Sequence, residues 1–225
     1  MDKPHDEFDE DFGLSGLTQK FRDPAQVSDG DAAADVVAAV ADQFDGAYAW
    51  QLLEDVRRLM ASSLTDEAIV TLWLGATRGY FDPTAHAMNG RAWLRRIADV
   101  CVTRIRRDEP SFVPTASESL EDRDRDQELR VAVLEEIQAV GSALADAGVT
   151  SLYAAPLPEL VPTLERAVAE VGADLAFRLL LRALQAYFVR ISGTTHQRFL
   201  ELGERLGYNE YVVDDGCLNV WPELD

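Results

Sequence analysis

Residues able to do acid–base, nucleophilic or metal chemistry are few in this chain, and several fall in one closing stretch. YNEYVVDDGCLNVWPELD (208–225) places Asp214, Asp215 and Cys217 around Gly216. The chain has three histidines, His5, His86 and His196, and its second cysteine is Cys101. A nucleophilic thiol needs a lowered pKa, supplied by a histidine, a cation or a helix N-terminus. Two neighbouring aspartates act on Cys217 in the opposite direction. A metal site from Asp214, Asp215 and His196 is chemically possible, yet no sequence spacing requires it. Asp214-Asp215-Gly216-Cys217 therefore reads as a tight turn. His86, in the loop GYFDPTAHAMNG (79–90), has no second ligand-type residue at ligand spacing. Cys101 lies among apolar positions of a helical pattern and reads as a small buried hydrophobe.

Patterns that carry known chemistry are absent. The sequence contains no GxxxxGK[ST], no GxGxxG after a strand, no HExxH, no CxxC and no GxSxG. Its acidic runs lack the alternating ligands and closing glutamate of a calcium loop. Paired carboxylates occur throughout so acidic a chain and identify nothing by themselves. The expectation is a protein that is not an enzyme and uses no cofactor or metal. A carboxylate-based, metal-assisted hydrolase remains an alternative.

Charge is the most unusual total. The chain has 225 residues, 40 acidic against 21 basic, a net charge of −19 and a pI near 4.4. Residues 1–45 carry 3 basic and 12 acidic side chains, 46–113 carry 9 and 8, and 114–225 carry 9 and 20. Such a field repels nucleic-acid phosphates and anionic lipid headgroups and attracts basic surfaces. No nucleic acid and no membrane are expected among its partners. Two cysteines make no disulfide framework, MDKPHDEFDEDF offers no apolar leader, and no apolar run spans a bilayer. The expected compartment is the cytoplasm.

The elements that must position these residues read as helices. Residues 1–30 read as an acidic tail expected to be disordered, with Phe8, Phe12, Leu14, Leu17 and Phe21 scattered among charges. Apolar residues then recur at three and four over 31–44, 47–62, 65–78, 91–107, 119–147, 158–171, 173–191 and 195–206. The linker DEPSFVPTASES (108–119) divides an N-terminal half, 31–112, from a C-terminal half, 113–225, which could pack as one domain. The arginines of 91–107 are expected to pair with acidic helices of the other half or to lie over the core edge. Asp-Gly between Tyr208–Val213 and Cys217–Trp221 predicts a hairpin. The fold class is thus mainly α: a bundle-like protein of about eight helices with a small C-terminal β-hairpin.

With acidity high and catalytic motifs absent, the function expected is binding to a basic protein. An inhibitor or immunity protein that neutralises a cationic toxin or nuclease fits, with acids steering and aromatics anchoring. The expected contacts are Tyr208, Glu210, Tyr211, Asp214, Asp215, Trp221, Glu223 and Asp225. A structural or regulatory scaffold is the blander alternative.

Overall fold

The computed structural model describes residues 11–21, 27–114, 123–150 and 157–225. The protein is mainly α, and two compact units divide it: residues 12–121, and residues 122–225 together with the N-terminal segment ending at Asp11.

Among the described residues, five α-helices build the first unit: α1 (Gly13–Lys20), α2 (Gly30–Ala41), α3 (Ala47–Ala61), α4 (Asp66–Thr77) and α5 (Gly90–Asp108). Their starts follow capping chemistry. Asp29 accepts from the amides of Asp31 and Ala32 ahead of α2, Thr65 from Ala68 ahead of α4, and Asn89 from Ala92 ahead of α5. The two Asp29 hydrogen bonds, that from Ala32 first, hold its carboxyl below the usual carboxylate range. Helix α3 is central, packing on α5, α1 and α2. Four aromatics close the core at the other side. Trp73 and Trp93 meet edge to face at 5.2 Å, Phe21 meets Trp73 at 5.0 Å, and Phe81 meets Trp93 at 4.9 Å. Such pairs add about 0.5–1.5 kcal/mol each beyond the area they bury.

Helix α1 corrects the reading of 1–30 as a disordered tail. Phe12, Leu14, Leu17 and Phe21 are all buried, and the Leu14 amide donates to the buried carboxylate of Asp55 at 2.8 Å. Residues 1–10 and 22–26, and the disorder expected of them, lie outside the described residues. The arginines of α5 depart from expectation as well. Their partners lie in their own unit: Arg91 contacts Asp66, Arg96 contacts Asp31, and Arg104 contacts Asp42 and Asp108. The unit therefore balances its own basic helix with its own acids. Cys101 is buried as expected, and burial pushes its thiol up to about 12.

The α-helices described in the second unit are α6 (Arg123–Thr150), α7 (Leu160–Glu170), α8 (Ala173–Ala186), α9 (Gly193–Arg205) and a single-turn α10 (Glu210–Val213). Helices α6, α7 and α8 pack on one another, and α9 lies against α6 and α10. Helix α8 is buried from Leu175 to Leu184, as its apolar run dictates. It ends at Ala186, short of the expected 191. The Val189 amide bonds back to Leu184 and the Phe188 amide to Gln185, the Schellman pattern that stops a helix.

The expected C-terminal hairpin does not form. Tyr211, Val212 and Val213 lie in α10, which Asn209 caps by accepting from the Val212 amide at 3.1 Å. Strand β2 (Asn219–Val220) pairs instead with β1 (Arg190–Ile191), in parallel, with Arg190 opposite Asn219 and Ile191 opposite Val220. The Asp-Gly turn is real, but the strand after it finds a nonlocal partner.

Candidate functional site

Of the residues singled out in 208–225, Asp214 and Asp225 reach the first turn of α9, whereas Tyr208 bonds back to Gly203 near its end. Ser192 caps that helix by accepting from the Thr195 amide at 3.1 Å. The Asp225 carboxylate accepts from the next exposed donor, the Thr194 amide, at 2.9 Å. Hydrogen bonds from Thr194, and then from Ser192, hold the Asp225 carboxyl below the usual carboxylate range. An added Cβ at Gly193 would sit 2.8 Å from that carboxylate, so a glycine at this position lets the acid approach.

Asp214 organises the turn. One carboxylate oxygen accepts from the amides of Gly216 and Leu218 at 2.9 and 3.0 Å, and Gly216 adopts φ +87°. The other oxygen lies 3.0 Å from His196 Nε2 on α9. Asp215 reaches Gln185 at the end of α8, at 3.4 Å. Of the three candidate ligands, Asp214 and His196 thus meet each other, while Asp215 turns away to Gln185. No group of three His, Cys, Asp or Glu side chains with metal-site geometry occurs among the described residues. Cys217 is exposed. His86, in the other unit, stacks on Phe81 with centroids 5.2 Å apart and planes within 12°.

The eight expected contact residues therefore separate into two sets. Tyr208 is buried, and Asp214 and Asp225 hold backbone amides. Glu210, Tyr211, Asp215, Trp221 and Glu223 are exposed. Tyr211 keeps 55% of its surface and Trp221 keeps 39%. Trp221 is nevertheless fixed. Its backbone amide donates to Ile191 at 2.8 Å, its indole N–H donates to Asn219 Oδ1 at 2.7 Å, and the Arg190 guanidinium lies 4.2 Å from its ring centroid. An exposed aromatic held this firmly loses little side-chain freedom on meeting a partner.

Two groups depart from the sequence reading. The first is Phe188, which the apolar helix expected over 173–191 would bury and which is exposed instead, with φ +51°. The second is a buried charge cluster on α8. Arg178 donates to Asp174 at 3.0 Å, and Arg182 Nε lies 3.2 Å from the carboxylate of Asp11. The Arg182 and Asp11 side chains are only 2% and 1% exposed. A signal for this cluster existed: Asp174, Arg178 and Arg182 recur every four residues in the most apolar helix.

No family model, curated protein or solved structure matches the chain. No helix among the described residues is long and apolar enough to cross a membrane.

Proposed function

We propose that this chain is a non-enzymatic, acidic binding protein that covers a basic partner protein, as an inhibitor or immunity protein covers a cationic toxin or nuclease. One observation carries the reading. The second unit leaves Tyr211, Trp221 and Leu224 exposed beside Glu210, Asp215 and Glu223, while neighbouring residues of the same stretch are spent on internal hydrogen bonds. Aromatic anchors beside charges mostly of one sign are what a steered protein interface uses. The net charge of −19 extends that attraction beyond contact range.

The test is affinity capture from the native host's lysate, washed at low and then high salt, with stoichiometric partners identified. A basic protein retained at low salt and weakened at high salt is expected. Reversing Asp215 and Glu223 to Lys should then lower the association rate by about 10-fold or more at low ionic strength and by less at high. Absence of any stoichiometric basic partner at either salt would remove the reading.

A further inference from the structure

Helix α8 carries two buried arginines one turn apart, and they are satisfied unequally. Arg178, 1% exposed, donates from Nε and Nη2 to the two oxygens of Asp174, at 3.3 and 3.0 Å. That acid stands four residues earlier on the same helix, so folding α8 delivers it. Arg182, 2% exposed, has no acid at the equivalent place, because position 178 is itself an arginine. Its counter-ion is Asp11, whose carboxylate lies 3.2 Å from Nε. That approach lacks the alignment of a hydrogen bond, and none of Arg182 Nε, Nη1 and Nη2 has a hydrogen-bond partner.

A guanidinium holds its N–H donors in a rigid planar fork, and buried donors of native proteins are almost always satisfied. Asp11 meets the charge of Arg182 without using that fork. Two parallel N–H···O bonds from one edge of a guanidinium require two coplanar oxygens, which is the geometry of a carboxylate. A second anion beside Asp11 would leave a buried charge unpaired, so an incoming carboxylate takes the place of Asp11 rather than joining it. Asp11 is the partner able to leave. It precedes α1 in irregular backbone, so withdrawing it breaks no helix, whereas Asp174 is held within α8.

We propose that Arg182 is a binding site for a small carboxylate, with Asp11 as its built-in occupant. The ligand accepts two hydrogen bonds from the guanidinium edge that Asp11 leaves unused, and the Asp11 carboxylate moves out to water as the ligand enters. Burial limits size. The three nitrogens are sealed from solvent, so the class is that of formate and acetate, acetate being the size of an aspartate side chain. The site is independent of the acidic-binder reading, since it uses none of the exposed aromatics or acids on which that reading stands.

The test follows the Arg182 Nε–Hε resonance by 15N NMR while the full chain is titrated with sodium formate, or with sodium chloride to the same ionic strength. Loss of the resonance in Arg182→Lys assigns it. Formate should shift it along a saturating curve, and chloride should not. Asp11→Ala removes the competitor and opens the space of one carboxylate, so its half-saturation should fall at a formate concentration lower by about 10-fold or more. Inorganic phosphate, tetrahedral and larger, should bind either protein more weakly than formate. A resonance that formate moves no more than chloride overturns the site. Equal half-saturation in the two proteins overturns the role of Asp11 as its occupant, and phosphate binding as tight as formate binding overturns the carboxylate assignment. Where Asp11→Ala does not fold in chloride, thermal unfolding decides. Formate should restore a cooperative melt to that variant and raise the midpoint of the full chain, because it binds the folded state. It should leave Asp11→Leu/Arg182→Met, which has no guanidinium at this place, unchanged. A rise of equal size in that double variant, or none in the full chain, refutes the proposal.

Discussion

Replacing Asp11 by Asn should destabilise the second unit far more than removing any exposed acid. Asp11 and Arg182 are almost wholly withdrawn from water, with nitrogen and oxygen 3.2 Å apart. At an effective dielectric of about 20, unit charges at that separation attract by roughly 5 kcal/mol. Desolvation of both groups offsets much of this in the intact protein, so the pair adds little net stability. Asn keeps the shape of the acid and deletes the charge. It leaves Arg182 buried and charged, with Nη1 and Nη2 already lacking hydrogen-bond partners. Breaking such a pair costs about 3–5 kcal/mol, a large share of the roughly 5–15 kcal/mol that holds a domain folded. The more exposed contact of Arg104 with Asp42 should contribute far less, because solvent screens it. The assay is native-state hydrogen exchange of the α8 amides, which reports opening of this unit separately from the other. Asp11→Leu with Arg182→Met, which removes both charges, should restore most of the loss. A cost below about 1 kcal/mol for Asp11→Asn, or no recovery in the double variant, would refute the reasoning.

Three further outcomes follow from local geometry. Gly90→Ala would place a Cβ 2.5 Å from the Asp66 carbonyl oxygen and 2.8 Å from Ile69 Cβ, so urea denaturation should show a loss of about 1–3 kcal/mol. In the native protein a thiol reagent should modify exposed Cys217 quickly and buried Cys101 only on unfolding; equal rates would show that Cys101 is not sealed in the α5 core. Asp225→Asn should lower the thermal midpoint at neutral pH. Because the folded carboxyl titrates below its unfolded value of 3.8, the contribution is complete above that value and disappears as pH falls through the folded pKa. Thermal melts of both proteins should therefore converge in acid, and a gap that persists there would mean that the Asp225 charge is not what holds Thr194.

The helices were legible because each buries one face, and a repeat near 3.6 writes that face into the sequence. Helix α1 was not, although Leu14 and Leu17 lie three apart and Phe21 four further on. Its glycines and acidic flanks resemble a tail, and its burial depends on Asp55 and on an aromatic cluster assembled from other helices. The turn at 214–216 was legible because Asp-Gly chemistry is local. Its strand partner was not, because Arg190–Ile191 precedes β2 by almost thirty residues, with the whole of α9 between them. Of the candidate contacts, side-chain type could nominate residues, but exposure was decided by the fold. Tyr208 and Trp221 look equally eligible in the sequence, yet one is buried and the other is exposed on the β1–β2 pair.

The split allegiance of the N-terminal segment, with Asp11 in one unit and Phe12 in the next, has a consequence for dissection and for synthesis. A fragment cut at the linker and begun at residue 123 would carry Arg182 without its acid, although every described helix of that unit is included. On the ribosome the order is reversed. Asp11 emerges first and must wait for more than 170 residues before its cation exists, so the second unit can be completed only after the chain encoding the first has been made.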